Sequence, residues 1–251
     1  MTSASILLID LETTGVDIRT AEILQIGALI TPADAGGDPT YMSSTLFRAL
    51  GAIPPGASKV HGIFAADVAD CPVFSAARMP ALPHADICAT FNGSAYDLPI
   101  LARYGVPLQI PHIDVYRVWA VARARNIVRH DVGAGRYTGG LGSAFAWAER
   151  QEPVNAHDAL GDCAMTGSVL RALLDSGISI EDMLAWTAGA LPGFADFAQK
   201  IAKDDEGILT IAFGKNKGTR LDRVDRSYLT WMLRGDFDAS TKSIVRAFLD
   251  R

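Results

Sequence analysis

Through the first hundred positions the apolar residues fall in short blocks rather than in long helical stripes. Ser5-Ile-Leu-Leu-Ile9 is a compact branched run that stops at Asp10, Glu22-Ile-Leu-Gln-Ile-Gly-Ala-Leu-Ile30 is a longer one, and Tyr41 to Leu50 is a third. Blocks of this length and composition predict buried strands, with Pro32 to Pro39 as a turn, and the short connections predict an antiparallel meander. Asp86-Ile-Cys-Ala-Thr-Phe91 predicts a fourth strand, and from Asp97 the period becomes helical. Helical patterns then cover Leu141 to Arg150 and Ala159 to Leu174, the second closed by Gly177, a residue suited to a helix C-terminal cap. Alternating strands and helices predict an α/β domain.

The pattern changes again after residue 178. Ile180 to Lys203 is mixed, interrupted by Leu191-Pro-Gly193, and ends in the polar stretch Lys203-Asp-Asp-Glu-Gly207. This predicts a main domain over 1–178, a helical linker over 179–206, and a small basic α+β domain over 207–251. The last contains a strand ending at Phe213, the turn Gly214-Lys-Asn-Lys-Gly218, and helical stretches around Tyr228 to Leu233 and Thr241 to Leu249.

Composition narrows the classes. With 49% hydrophobic and 20% charged residues over 251 positions, the chain reads as a soluble globular protein, which excludes disorder and collagen-like repetition. It has no run of about 18 apolar residues, and Met1-Thr-Ser-Ala-Ser5 lacks the basic start of a secretory signal, so the expected address is the cytoplasm, away from membranes. Cys71, Cys88 and Cys163 are odd in number and form no C-x-x-C pair, so a disulfide framework and a thiolate zinc site are both unsupported. Any metal must be held by oxygen and nitrogen. Charge divides unevenly, with a net of −8 over 1–199 and +3 over 200–251, as expected of either a nucleic-acid-facing appendage or a solvated face. Arg117, Arg125 and Arg129 share one row of an expected helix that could track a phosphate backbone or simply face water, and Gly133 to Gly140 reads as a mobile loop without the ending of a P-loop.

Three segments carry candidate chemistry. Asp10-Leu-Glu12 places two carboxylates on one face of a strand, because side chains alternate. Like charges so placed repel, and a hard divalent cation such as Mg²⁺ or Mn²⁺ removes the repulsion; alone, the pair also reads as two solvated acids entering a turn. In Asn92-Gly-Ser-Ala-Tyr-Asp97-Leu-Pro99, proline is tolerated only in a first helical turn, so a helix starts close to Asp97, which is then either a cap or an acid beside a cleft. In His157-Asp-Ala-Leu-Gly-Asp162, two residues inside one helix would be about 140° apart and could not converge. If Asp158 caps the helix instead, Asp162 and His157 approach one cleft from different directions, an acid and a proton acceptor.

Taken in order and spacing, these segments resemble the DEDDh 3′→5′ exonucleases, the family of the DNA polymerase III epsilon proofreading subunit. Asp10-Leu-Glu12-Thr-Thr-Gly15, Asn92 to Asp97 and His157 to Asp162 match its three motifs, and Ile23 to Ala28 and Ile53 to Ile63 support them, over roughly residues 5–175. Phe91 stands where many members have His, and Gln25 where many have Glu. Phe213-Gly-Lys-Asn-Lys-Gly218 with Tyr228-Leu-Thr-Trp-Met-Leu233 resembles the small tail domain of exodeoxyribonuclease X and related bacterial exonucleases. The resemblance implies a ribonuclease H-like mixed five-stranded sheet flanked by helices. It also implies two Mg²⁺ or Mn²⁺ ions held by Asp10, Glu12, Asp97 and Asp162, with His157 as general base. The implied reaction releases nucleoside 5′-monophosphates from DNA 3′ ends, in repair or processing. By the same resemblance, Thr13 and Thr14 would offer backbone N–H groups to the terminal nucleotide and His61 or Ile63 would pack on its base; independently, the net charge of the tail and the glycine-bracketed turn make Lys215 and Lys217 candidates for a DNA backbone contact. An exoribonuclease of the same family and a non-catalytic nucleic-acid-binding adaptor are the alternatives; DNA is the favoured partner, and oligomeric state is not legible.

Overall fold

The computed structural model describes residues 4–33, 38–128, 140–151, 157–235 and 237–250, which divide into two compact units, 1–187 and 188–251. In the first unit, β1 (Ser5–Thr13), β2 (Ile23–Pro32), β3 (Tyr41–Leu46), β4 (Ile87–Thr90) and β5 (His112–Asp114) form a mixed sheet in the order β3-β2-β1-β4-β5. β1, β2 and β3 are the expected antiparallel meander; β4 and β5 add in parallel. The helices are α1 (Pro55–His61), α2 (Asp97–Arg103), α3 (Val115–Ala124), α4 (Leu141–Glu149), α5 (Ala159–Asp175) and α6 (Ile180–Ala188). This is the expected α/β architecture, a mixed five-stranded sheet flanked by helices.

Alternation along central β1 sorts its side chains between two cores. Ile6 and Leu8 pack with Val118, Trp119 and Leu170 from α3 and α5, whereas Ile9 and Leu11 pack with Ile100 and Leu101 from α2. Asp10 and Glu12 therefore continue the face of Ile6 and Leu8, toward α5. β1 runs three residues beyond the expected stop at Asp10, because it pairs with β2 through Thr13. The two acids consequently stand on paired strand rather than entering a turn. Gly27 lies opposite Asp10 in that pairing, and a Cβ there would come within 2.3 Å of the Ala159 carbonyl. Only glycine lets the start of α5 approach the sheet so closely.

Several expectations are corrected. The division falls between Thr187 and Ala188, not at Lys203 to Gly207, and the expected linker over 179–206 is shared between the units. Its first part is α6, whose Met183 joins the first core, and Thr187 Oγ1 accepts the Asp114 N–H at 2.9 Å. The arginine row fails as a phosphate track. Arg117 is buried and donates through Nε to the Thr187 carbonyl at 3.0 Å, and Arg125 lies over Trp186, 4.5 Å from its ring. Arg129 and most of the stretch Gly133 to Gly140 lie outside the described residues.

The second unit contains an antiparallel pair, β6 (Ile201–Lys203) and β7 (Leu209–Ile211), followed by α7 (Arg226–Arg234) and α8 (Ala239–Leu249). Ile201, Ile211, Leu221, Leu229, Met232 and Val245 form its core. Among the described residues no helix is long and apolar enough to cross a membrane.

Candidate active site

Carboxylates from separate elements converge at one end of β1. Ligand oxygens of Asp10, Glu12 and Asp162 lie within 4.8 Å of one another. Asp97 is buried at the first position of α2, and its Oδ1 accepts the N–H of Leu11, between the two β1 acids, at 3.1 Å. It thus faces β1 rather than acting only as a cap of its own helix.

Each approach is fixed by identifiable contacts. The turn before α2 begins at Asn92, with φ +67°, and a Cβ on Gly93 would meet Thr90 Oγ1 at 2.3 Å. Asp114, fully buried at the end of β5, accepts the N–H groups of Asn92 at 2.9 Å and Ser94 at 3.1 Å. At the other approach, Asp158 caps α5 through the Gly161 N–H at 3.0 Å, as its place in the sequence suggested. His157 precedes the cap in a left-handed conformation, φ +71°, and donates its own N–H to Asp162 Oδ1 at 3.2 Å. Its side chain is exposed.

Gln25 ties the start of α5 to the sheet. Its Nε2 donates to Asp158 Oδ1 at 2.7 Å and to Ser44 Oγ at 2.9 Å, while its Oε1 accepts the Ala159 N–H at 3.2 Å. An amide can serve a carboxylate and an N–H together; an ionised Glu can only accept. Gln25→Met is expected to cost about 2 kcal/mol, the order of a hydrogen bond to a charged group, and to lower turnover by loosening the start of α5. Thermal unfolding and single-turnover rates check this; an unchanged melting temperature would contradict it.

The carboxyls are held away from their ordinary charge state. Burial, then the charges of Asp162, Asp97 and Asp158, push Glu12 up to about 8. Burial raises Asp97 to about 7, with Asp114 and Asp162 adding to the rise. Asp10 is raised for the same reasons, burial first and then Asp97, Asp162 and Glu12, and Asp162 is raised by burial against the lowering effect of the His157 N–H. Hard oxygen donors crowded together, whose pKa values burial and mutual repulsion raise, fit a divalent metal such as Mg²⁺ or Mn²⁺. The sign of the linkage is the reverse of the usual carboxylate case: the folded state keeps protons that the unfolded chain has released. Without cations, stability should therefore fall as pH rises from about 4.5 toward about 8, the interval spanned by Glu12. Since a cation displaces those protons, the gain in melting temperature from millimolar Mg²⁺ should be larger at the upper end of that interval than at the lower. Equal gains would contradict the coupling.

Beside the acids lies a cleft of about 420 Å³, walled by Glu12, Thr13, Val16, Val60, His61 and Tyr96. His61 Nδ1 accepts the Ile63 N–H at 3.0 Å, which places the ring proton on Nε2, and burial holds its pKa below the ordinary value. The Thr13 hydroxyl bonds with the Tyr96 hydroxyl and the Gly15 carbonyl. Two expected contacts are not available. The Thr14 N–H is donated to Glu22 O at 2.9 Å, and Ile63 is buried in an apolar cluster with Leu24, Ala49 and Val68. Tyr96 and Asp114 were missed by sequence reasoning, with the place of Tyr96 next to Asp97 the one available signal for them; Gln25 stood out only as a departure, without a role.

Residues 7–83 match the model of the RNase T exonuclease family. No curated protein matches the sequence. Among solved structures, E. coli exonuclease I in its zinc-bound complex with single-stranded DNA shares the fold at 16% identity and TM-score 0.57, covering 94% of this chain and 60% of that one. A moderately thermophilic exonuclease I from Methylocaldum szegediense aligns at 18% identity and TM-score 0.56, over 78% of this chain and 43% of that one. The chain thus spans about half the length of these two. Exonuclease X in complex with 5′-overhanging duplex DNA aligns at 21% identity and TM-score 0.47, over 72% of this chain and 98% of that one.

Proposed function

We propose that the protein is a divalent-metal-dependent 3′→5′ exonuclease that releases nucleoside 5′-monophosphates from DNA ends. The convergence of Asp10, Glu12 and Asp162 within 4.8 Å, with Asp97 against the same strand, carries this reading. These four acids would hold Mg²⁺ or Mn²⁺, and the ions when bound supply charge stabilisation for the scissile phosphate and lower the pKa of water. His157 takes the proton of the attacking water: it is exposed beside Asp162, which its main chain fixes, so its ring is free to face the cleft. The cleft of Thr13, Val60, His61 and Tyr96 receives the terminal nucleoside, its apolar walls against the base.

The test is a single-stranded oligonucleotide labelled at the 5′ end, incubated with Mg²⁺ and with chelator. Successive shortening of the labelled strand in Mg²⁺ alone is expected. Release of internal fragments, or turnover in chelator, would overturn the proposal. A matched RNA oligonucleotide decides the polymer, since a 2′-hydroxyl is the chemical difference presented at the cleft; equal or faster turnover of RNA would move the assignment to an exoribonuclease.

A further inference from the structure

The second unit exposes one large apolar side chain among its described residues. Trp231, on α7, is 51% exposed, although the unit has a complete core of its own. Its ring does not stand alone. Tyr228 lies 5.2 Å away at a 36° tilt, Phe237 meets Trp231 edge-on at 5.3 Å, and Phe213 lies 5.5 Å from Phe237 and 6.4 Å from Tyr228. These contacts hold the indole in place while leaving half of it to solvent, so little side-chain entropy remains to be lost on binding.

Cations gather at the same cluster. Phe213 leads directly into Gly214-Lys-Asn-Lys-Gly218, and Lys200 Nζ lies 5.7 Å above the Phe213 ring. Lys215 and Lys217 are exposed, and among the described residues neither forms an ion pair. Several acids of the unit are used elsewhere. Asp225 and Asp238 cap α7 and α8, Asp222 pairs with Arg220 at 2.7 Å, and Asp204 accepts N–H groups in the turn between β6 and β7. Among the described residues no ion pair offsets the lysines at the aromatic cluster.

We propose that this face of the second unit binds single-stranded nucleic acid, a base stacking on Trp231 and Tyr228 and the flanking phosphates meeting Lys200, Lys215 and Lys217. A half-exposed indole beside the partly buried Tyr228, bordered by ammonium groups without ion pairs among the described residues, complements a polymer of alternating π-faces and monoanions, and such stacking is tolerant of sequence. An acidic protein surface would use the lysines but has no flat group to match the indole. The choice of polymer rests on the nuclease reading; the platform rests on the second unit alone.

The experiment uses the full chain in chelator, where the oligonucleotide is not consumed, with a fluorescein-labelled oligothymidylate followed by anisotropy across a salt series. Trp231→Ala is expected to weaken binding about 5-fold to 100-fold, the worth of one stacked base, and Trp231→Phe to recover most of it. Lys215→Ala with Lys217→Ala is expected to weaken binding and flatten the log–log salt slope by about 1.4, or about 0.7 for each phosphate contact on a single strand. Hydrolysis of a minimal nitrophenyl nucleotide ester in Mg²⁺ should be unchanged in all three, which separates the two readings: an inactive wild type would sink the nuclease site and leave the platform standing. Unchanged affinity in Trp231→Ala, or an unchanged slope in the double lysine variant, overturns the platform. An equal loss in Trp231→Ala and Trp231→Phe does so too, since either ring can stack.

Discussion

Asp162→Asn is expected to reduce exonuclease turnover at least about a thousandfold while raising the melting temperature measured in chelator. The first effect follows from removing a charged oxygen from a group that must balance a divalent cation, a contribution of several kcal/mol at about 1.4 kcal/mol per factor of ten. The second follows from the raised pKa of Asp162 and its neighbours: one fewer acid relieves the repulsion within the cluster. Asn is the informative substitution because its Oδ1 still accepts the His157 N–H, so the start of α5 is left intact. Asp97→Asn keeps the bond from Leu11 in the same way, and with Asp10→Asn the outcome should match. Isotherms for Mn²⁺ should weaken in parallel with activity. Near wild-type turnover in any of the three would remove that acid from the site.

His157→Asn should lower turnover by about 10²-fold to 10⁴-fold with metal affinity unchanged, the usual worth of a positioned general base. Asn tolerates the left-handed backbone found there, whereas Ala would add strain unrelated to chemistry. The main-chain bond to Asp162 survives the change, so the acid cluster should keep its geometry. In a general-base role the limb of the pH–rate profile that reports the imidazole should vanish in the variant. Parallel loss of metal affinity would instead make His157 a ligand.

What was legible in the sequence depended on how local its cause was. The meander and the capping role of Asp158 are set by short runs and single side chains, and they appear where the pattern placed them. β5 was not separately readable, for at three residues it has no period, and it is a strand because it pairs with β4. The arginine row misled because periodicity reports which residues share a side, not whether that side is covered; α6 covers Arg117. For the site, the acids and His157 could be named from spacing and resemblance, but their convergence depends on contacts 86 to 134 residues apart, such as Leu11 with Asp97 and Gln25 with Ala159. Thr14 and Ile63 failed for a related reason. Sequence places them near the motifs, and only the fold shows that an N–H has another acceptor or that a side chain faces a core.

The close approach of α5 to Gly27 also bears on the order of folding. The β1–β2–β3 hairpins join neighbours in sequence and have little loop entropy to overcome, but α5 must close more than a hundred residues of chain to reach β2. Until it docks, Asp10 and Glu12 stand on a formed strand without Asp162. A chain still emerging from the ribosome, or cut before residue 159, would carry three of the four acids and lack Asp162. In refolding from denaturant, nuclease activity should consequently lag behind the recovery of sheet structure and rise together with the protection of the α5 amides.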